Sequence, residues 1–221
     1  TGNSNTIVGS YAADAITTAS YNVGVGQAAL GSLTTGASNV AIGYNAVSTA
    51  TGATNNIGIG HAALALSTAS NNVAIGYQAL DTNTTGDNNT AIGSYTLDAL
   101  TTGHSNIAIG HSALFTLTTS NYNTAIGRDA GKLMTTGSNN TLVGAWAGDA
   151  ITDGTSNTGM GYGALGSVTT ASNNTAFGAN AGDAISTGYS MTCVGSGAGG
   201  AANTAVGCTF VGVSCGDAET D

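Results

Sequence analysis

Proline is absent from the 221 residues, and Arg128 and Lys132 are the only Lys or Arg residues set against 11 acidic ones. The net charge of −9 argues against nucleic acid as a partner, because two cations cannot neutralise a run of phosphates. It equally disfavours an anionic membrane surface. No apolar run approaches the ~18 residues of a spanning helix, so membrane insertion is not expected. Cysteine is scarce too. Cys193, Cys208 and Cys215 are too few for a disulfide framework and fit no common zinc spacing. Cys193 reads as a small buried hydrophobe, and Cys208 and Cys215 as a pair that could be bridged. No signal peptide is visible. An opening Thr in place of Met reads as a processed chain or a piece of a longer one. Low charge and 41% hydrophobic residues together allow a buried interior rather than a disordered chain.

What is present is a repeat. A Gly follows an apolar residue at 9, 26, 43, 60, 76, 93, 110, 127, 144, 161, 178 and 195. The steps are 17 residues, with one of 16 between Gly60 and Gly76. A thirteenth copy is read at Gly207. Asn stands four before the Gly from Asn5 to Asn174, and Met191 breaks that column. Ala stands three after it, from Ala12 to Ala198, with Thr96 the exception. Seven after it come Ile16, Leu33, Leu100, Leu117, Met134, Ile151, Val168 and Ile185, followed by Thr pairs such as Thr34-Thr35 and a small residue.

Each column has a physical reason if the copies stack as coils. N-T-A-I-G reads as a short β-branched strand ended by Gly. Stacking puts identical residues about 4.8 Å apart. Asn can then bond its own turn and the Asn of the next coil, and Gly permits a tight corner. The expected fold is all-β: a parallel β-solenoid or β-roll of 12 to 13 coils over residues 1–207, with 208–221 a cap or the start of a flanking region. The apolar residue before each Gly, from Val8 through Ile92 to Val194, is expected to form one buried column. Ile92→Asp would then bury a charge and cost several kcal/mol. For the second half of each coil a short helical or 3₁₀ turn is favoured, and a second strand stays open.

The unit at Asn72-Val73-Ala74-Ile75-Gly76 resembles the head repeats of YadA-like trimeric autotransporter adhesins. The longer form, Asn123-Thr124-Ala125-Ile126-Gly127 with Thr135-Thr136-Gly137 downstream, looks like repeats of phage tail fibres. The resemblance spans Asn5 to about Gly207. It implies a homotrimer of parallel coils, placed on a cell surface, outside the cell or on a virion, that engages a surface. The coil here is longer than in the adhesin heads, and no stalk heptads are present.

No catalytic constellation and no cofactor motif emerge, so enzymatic activity is not expected. His61 and His111 share a column but sit three coils apart, too far for one metal. Gly195-Ser196-Gly197-Ala198-Gly199-Gly200 matches G-x-G-x-x-G only because it lies in repeat phase. Asp81 and Asp98, on adjacent coils, are the weak candidates for a shared hard cation, against the blander reading of a solvated acidic stripe. Tyr44, His61 and Tyr77 follow the Gly on three successive coils. They form a candidate ring ladder, with a glycan or protein surface as its partner. The leading function is thus a fibre shaft or adhesin head. An ice-binding solenoid displaying Thr ranks and a self-assembling extracellular filament subunit are the alternatives.

Overall fold

A computed structural model describes residues 2–217. The chain is all-β, a parallel β-solenoid of about 12 turns, with no helix among the described residues. Each coil contributes one three-residue strand. The strands are β1 (Thr6–Val8), β2 (Val23–Val25), β3 (Val40–Ile42), β4 (Ile57–Ile59), β5 (Val73–Ile75) and β6 (Thr90–Ile92), then β7 (Ile107–Ile109), β8 (Thr124–Ile126), β9 (Thr141–Val143), β10 (Thr158–Met160), β11 (Thr175–Phe177), β12 (Thr192–Val194) and β13 (Thr209–Val211). The coils fall into two compact units that divide after Asn106. The first holds β1 to β6 and the second β7 to β13. In each, every strand pairs in parallel with the strand of the next coil.

Stacking also satisfies the backbone outside the strands. In the corners the amides bond alternately to the coil before and the coil after: Ala28 N–H donates to Ser10 O at 3.0 Å and Leu30 N–H to Ala46 O at 3.0 Å. The expected helical turn is absent, and no second strand replaces it. The segment after each Gly instead carries left-handed residues two and four positions on, such as Ala28 (φ 55) and Leu30 (φ 57). A left-handed Leu costs roughly 1–2 kcal/mol. Inter-coil hydrogen bonds and burial offset that cost, since fully burying a Leu contributes about 1.5–3 kcal/mol. One coil alone would hold neither, so the fold exists only as a stack.

The interior is lined by six positions: Asn four before the Gly, the central strand residue, Ala at plus three, the Leu column at plus four, the apolar residue at plus seven, and the small residue at plus ten. Ala41, Ala29, Leu30 and Leu33 are fully buried. The residue before the Gly is not. Val8, Ile42, Ile126, Met160, Phe177 and Val194 are 59%, 39%, 37%, 37%, 42% and 37% exposed. The expected buried Ile/Val column is therefore corrected. A three-residue strand has one face toward the interior, and the small central residue takes it, so Ile92 and its equivalents point outward.

The Asn column behaves as its chemistry demands. Asn22 Oδ1 accepts the Asn39 amide at 2.9 Å, and Asn39 Nδ2 donates to Ala53 O at 2.8 Å. These buried amides tie one coil's strand to the loop entering the next. The residue at plus ten is small because backbone approaches it: a Cβ on Gly36 would sit 2.0 Å from Ala53 O. Where Met191 replaces Asn, its own amide still donates to Asn174 Oδ1 at 3.1 Å, so the ladder ends without an orphaned acceptor.

Core volume is traded between columns. At Gly131 and Gly148 the Leu of the plus-four column is missing, and the Leu142 side chain reaches both places. The short coil between Gly60 and Gly76 keeps strand register, with Gly58 opposite Ala74. Its missing residue is absorbed in the loop. There Ser67 and Asn83 replace the plus-seven apolar pair: Asn83 Nδ2 donates to Ser67 Oγ at 3.3 Å and to Gly86 O at 2.7 Å.

The thirteenth copy is also corrected. β13 pairs with β12 as Thr192 opposite Thr209 and Val194 opposite Val211. The repeat Gly is therefore Gly212, one full step after Gly195, and not Gly207. Of the expected 208–221 cap, residues 208–217 hold β13 and the turn after it, and 218–221 lie outside the described residues. Cys208 and Cys215 are free, not bridged, and Cys193 is buried as expected.

Candidate functional site

Two sides of the coil carry features that the packing does not require. The first is the outward strand face. In β2 to β5 every outward residue is Val or Ile, from Val23 to Ile75. From β8 onward the first outward residue is always Thr, while the second stays apolar. Stacked neighbours half-bury these side chains, with Ile42 the most open at 39%, and a contiguous apolar strip that still meets water marks a contact region.

The second is the corner just after the Gly. In the first unit the structure brings Tyr44, His61 and Tyr77 together. Tyr44 and His61 stack with centroids 5.1 Å apart at 30°, and His61 and Tyr77 at 5.0 Å and 17°. Tyr95 extends the row edge-on to Tyr77 at 5.2 Å. The spacing is set by backbone. Ala62 N–H donates to Tyr44 O, Gln78 N–H to His61 O and Tyr95 N–H to Tyr77 O, each at 2.9 Å. The rings are thus carried one coil step apart, and Tyr44 and Tyr77 stay 45% and 43% exposed. The surface is flat, with no pocket among the described residues. Tyr95 was less legible in sequence because it stands one position later than the other three.

Asp81 and Asp98 lie on the adjoining positions. Asp81 accepts from Gln78 Nε2 at 3.4 Å. Partial burial raises its pKa, with the Gln78 bond and the His61 ring opposing; burial and then the Asp81 charge raise that of Asp98. Among the described residues no group of three or more His, Cys, Asp or Glu is placed to hold a metal. Asp149 and Asp183 are also raised, burial again the main cause. In all four the fold penalises the charged form. Their contribution to stability is full below the unfolded value of 3.8 and is lost as pH rises through the higher folded values. The melting temperature should therefore rise as pH falls from 7 to about 4. A thermal melt followed by circular dichroism that moves down over that interval would contradict this.

The Thr ranks are tied to the backbone. Thr17, Thr34, Thr84 and Thr152 each donate their hydroxyl to the carbonyl of the residue one coil on, at 3.0, 2.9, 2.9 and 3.3 Å. Their hydroxyl protons are spent within the chain. The second Thr of each pair, such as Thr35, Thr102 and Thr136, is exposed. No helix among the described residues is long and apolar enough to cross a membrane. No family model matches the sequence, and no curated protein and no solved structure matches it either.

Proposed function

We propose that this chain is the structural and adhesive part of an extracellular or virion fibre, in which copies associate through the outward strand face and present ring-bearing corners to a surface. The observation that carries the reading is the apolar outward face of β2 to β5. In an isolated chain the eight outward Val and Ile residues pack on one another but keep part of their apolar surface in water, and covering them by a second copy removes that remainder. Parallel coils of one chain bring the same strip to the same height in every copy, which suits a closed ring of identical subunits. Three is the number implied by the resemblance to adhesin heads. The stacked Tyr44, His61 and Tyr77 cover one another's faces and present a ladder of ring edges with polar tips, a chemistry suited to a glycan or a protein surface.

Sedimentation equilibrium of the purified chain tests this directly, and the expected mass is three times 21.2 kDa. A monomer at all accessible concentrations would overturn the reading. An ice-binding role has one observation in its favour, the exposed second Thr repeated at one coil step. The commitment of the first Thr hydroxyl to backbone leaves that rank a single residue wide. Thermal hysteresis in a dilute monomer would favour it.

A further inference from the structure

The second unit carries a charged and aromatic cluster to which the fibre reading assigns nothing. Arg128 and Lys132 converge on one carboxylate. Arg128 Nε lies 3.2 Å from Asp129 Oδ2, and Lys132 Nζ lies 3.1 Å from Asp129 Oδ1. The Asp129 side chain is 7% exposed, while those of Arg128 and Lys132 are 65% and 44% exposed. A buried carboxylate needs one cation to balance it. Asp129 does not need the second cation, whose charge is balanced by Asp149 one coil on. Asp129 thus anchors two cationic heads at the surface, and the anchoring bond engages only the Nε of Arg128.

The cluster continues along the stack. The Arg128 guanidinium lies 5.5 Å from the centroid of Trp146, and Trp146 meets Tyr162 edge-on at 5.2 Å and 76°. Trp146 N–H donates to Arg128 O at 2.9 Å, so backbone fixes the order of the layers. The residue between Arg128 and Tyr162 in their own column is Ala145. Its small side chain leaves that coil step to the indole ring. Asp149, one coil on, feels both Asp129 and Lys132. The cluster is therefore close to neutral as a whole, and its preference rests on the exposed guanidinium edge.

We propose that Arg128, Trp146 and Tyr162, with Lys132 beside them, form a binding site for a sugar that bears a carboxylate. Arg128 and Tyr162 already cover Trp146, so it is the exposed ring of Tyr162 that accepts the C–H face of a pyranose, with the indole rim beside it. The terminal nitrogens of Arg128 take the sugar carboxylate in the planar two-point geometry that guanidinium favours. Lys132 adds a point charge. The site lies at the corner after the Gly, not on the strand face, and stands whether or not that face is an interface.

Trp146 is the only Trp of the chain, so its emission reports the site directly. The intact protein would be titrated with trigalacturonic acid and with 3′-sialyllactose. Each is compared with a neutral counterpart, the methyl-esterified trimer and lactose. A saturable change with at least one acid is expected, and which acid responds separates uronic from sialic sugars. Its neutral counterpart, and Arg128→Gln with the acid, should bind roughly tenfold or more weakly, the usual scale for losing a charge-assisted bond. No saturable response to either acid, equal responses to acid and neutral sugar, or parent-like binding by Arg128→Gln would each overturn the proposal. If Arg128→Gln melts below the parent, Arg128→Lys decides instead. It keeps the ion pair but loses two-point recognition, so parent-like affinity in that variant also overturns it.

Discussion

Gly76→Ala should lower stability by about 3 kcal/mol or more, the combined scale of a forbidden backbone region and a backbone clash. Gly76 has φ +139, and a Cβ there would lie 2.5 Å from Gly93 O and 2.6 Å from Gly93 C. Neither atom is a side chain that can turn away. Relief requires the two coils to separate, which breaks the bonds that hold the left-handed corners. Gly207 supplies the contrast. Its φ is +66, and nothing lies within 4 Å of an added Cβ. Gly207→Asn keeps a left-handed conformation that Asn tolerates, so it should cost less than about 1 kcal/mol. Chemical denaturation of both variants measures the difference. Equal losses would mean that the Gly column is not where successive coils meet.

Adjacent residues of β5 should respond in opposite ways to the same charge. Ala74 is fully buried, and Ala74→Asp places a carboxylate among the interior Leu side chains without a partner. That should cost about 3–5 kcal/mol and unfold the coils around it. Ile75→Asp puts the same group on the outward face, where water solvates it. The isolated chain should then melt within about 1 kcal/mol of the parent. Association should fail, because the charge would be buried between copies. Circular dichroism at high dilution and sedimentation at high concentration separate the two effects. If Ile75→Asp unfolds the diluted chain, the outward direction of this column is wrong. If it folds and still assembles, the strand face is not the interface.

The sequence by itself determined the period, the strand and the columns. Recurrence of Asn, Ala and Gly at 17 residues is a one-dimensional signal, and stacking at strand spacing turns it into hydrogen-bonded ranks without further information. Asn39 and Gly76 could be assigned their roles from that alone, and the succession of Tyr44, His61 and Tyr77 foretold their contact. Which side of each strand faces in was decided by the tertiary structure. Alternation says that Ala41 and Ile42 point opposite ways, but not which way. Where the plus-four Leu fills the interior only a small residue fits at the strand centre, and Leu142 takes that place only beside Gly131 and Gly148, so elsewhere the more apolar residue is the one turned out. The left-handed corners were equally hidden, since Leu30 and Leu80 carry no local preference for positive φ and hold it only because the next coil bonds them. The phase of the last coil was masked by Val206-Gly207, which imitates the repeat locally, and only pairing with β12 showed that Val211-Gly212 completes it.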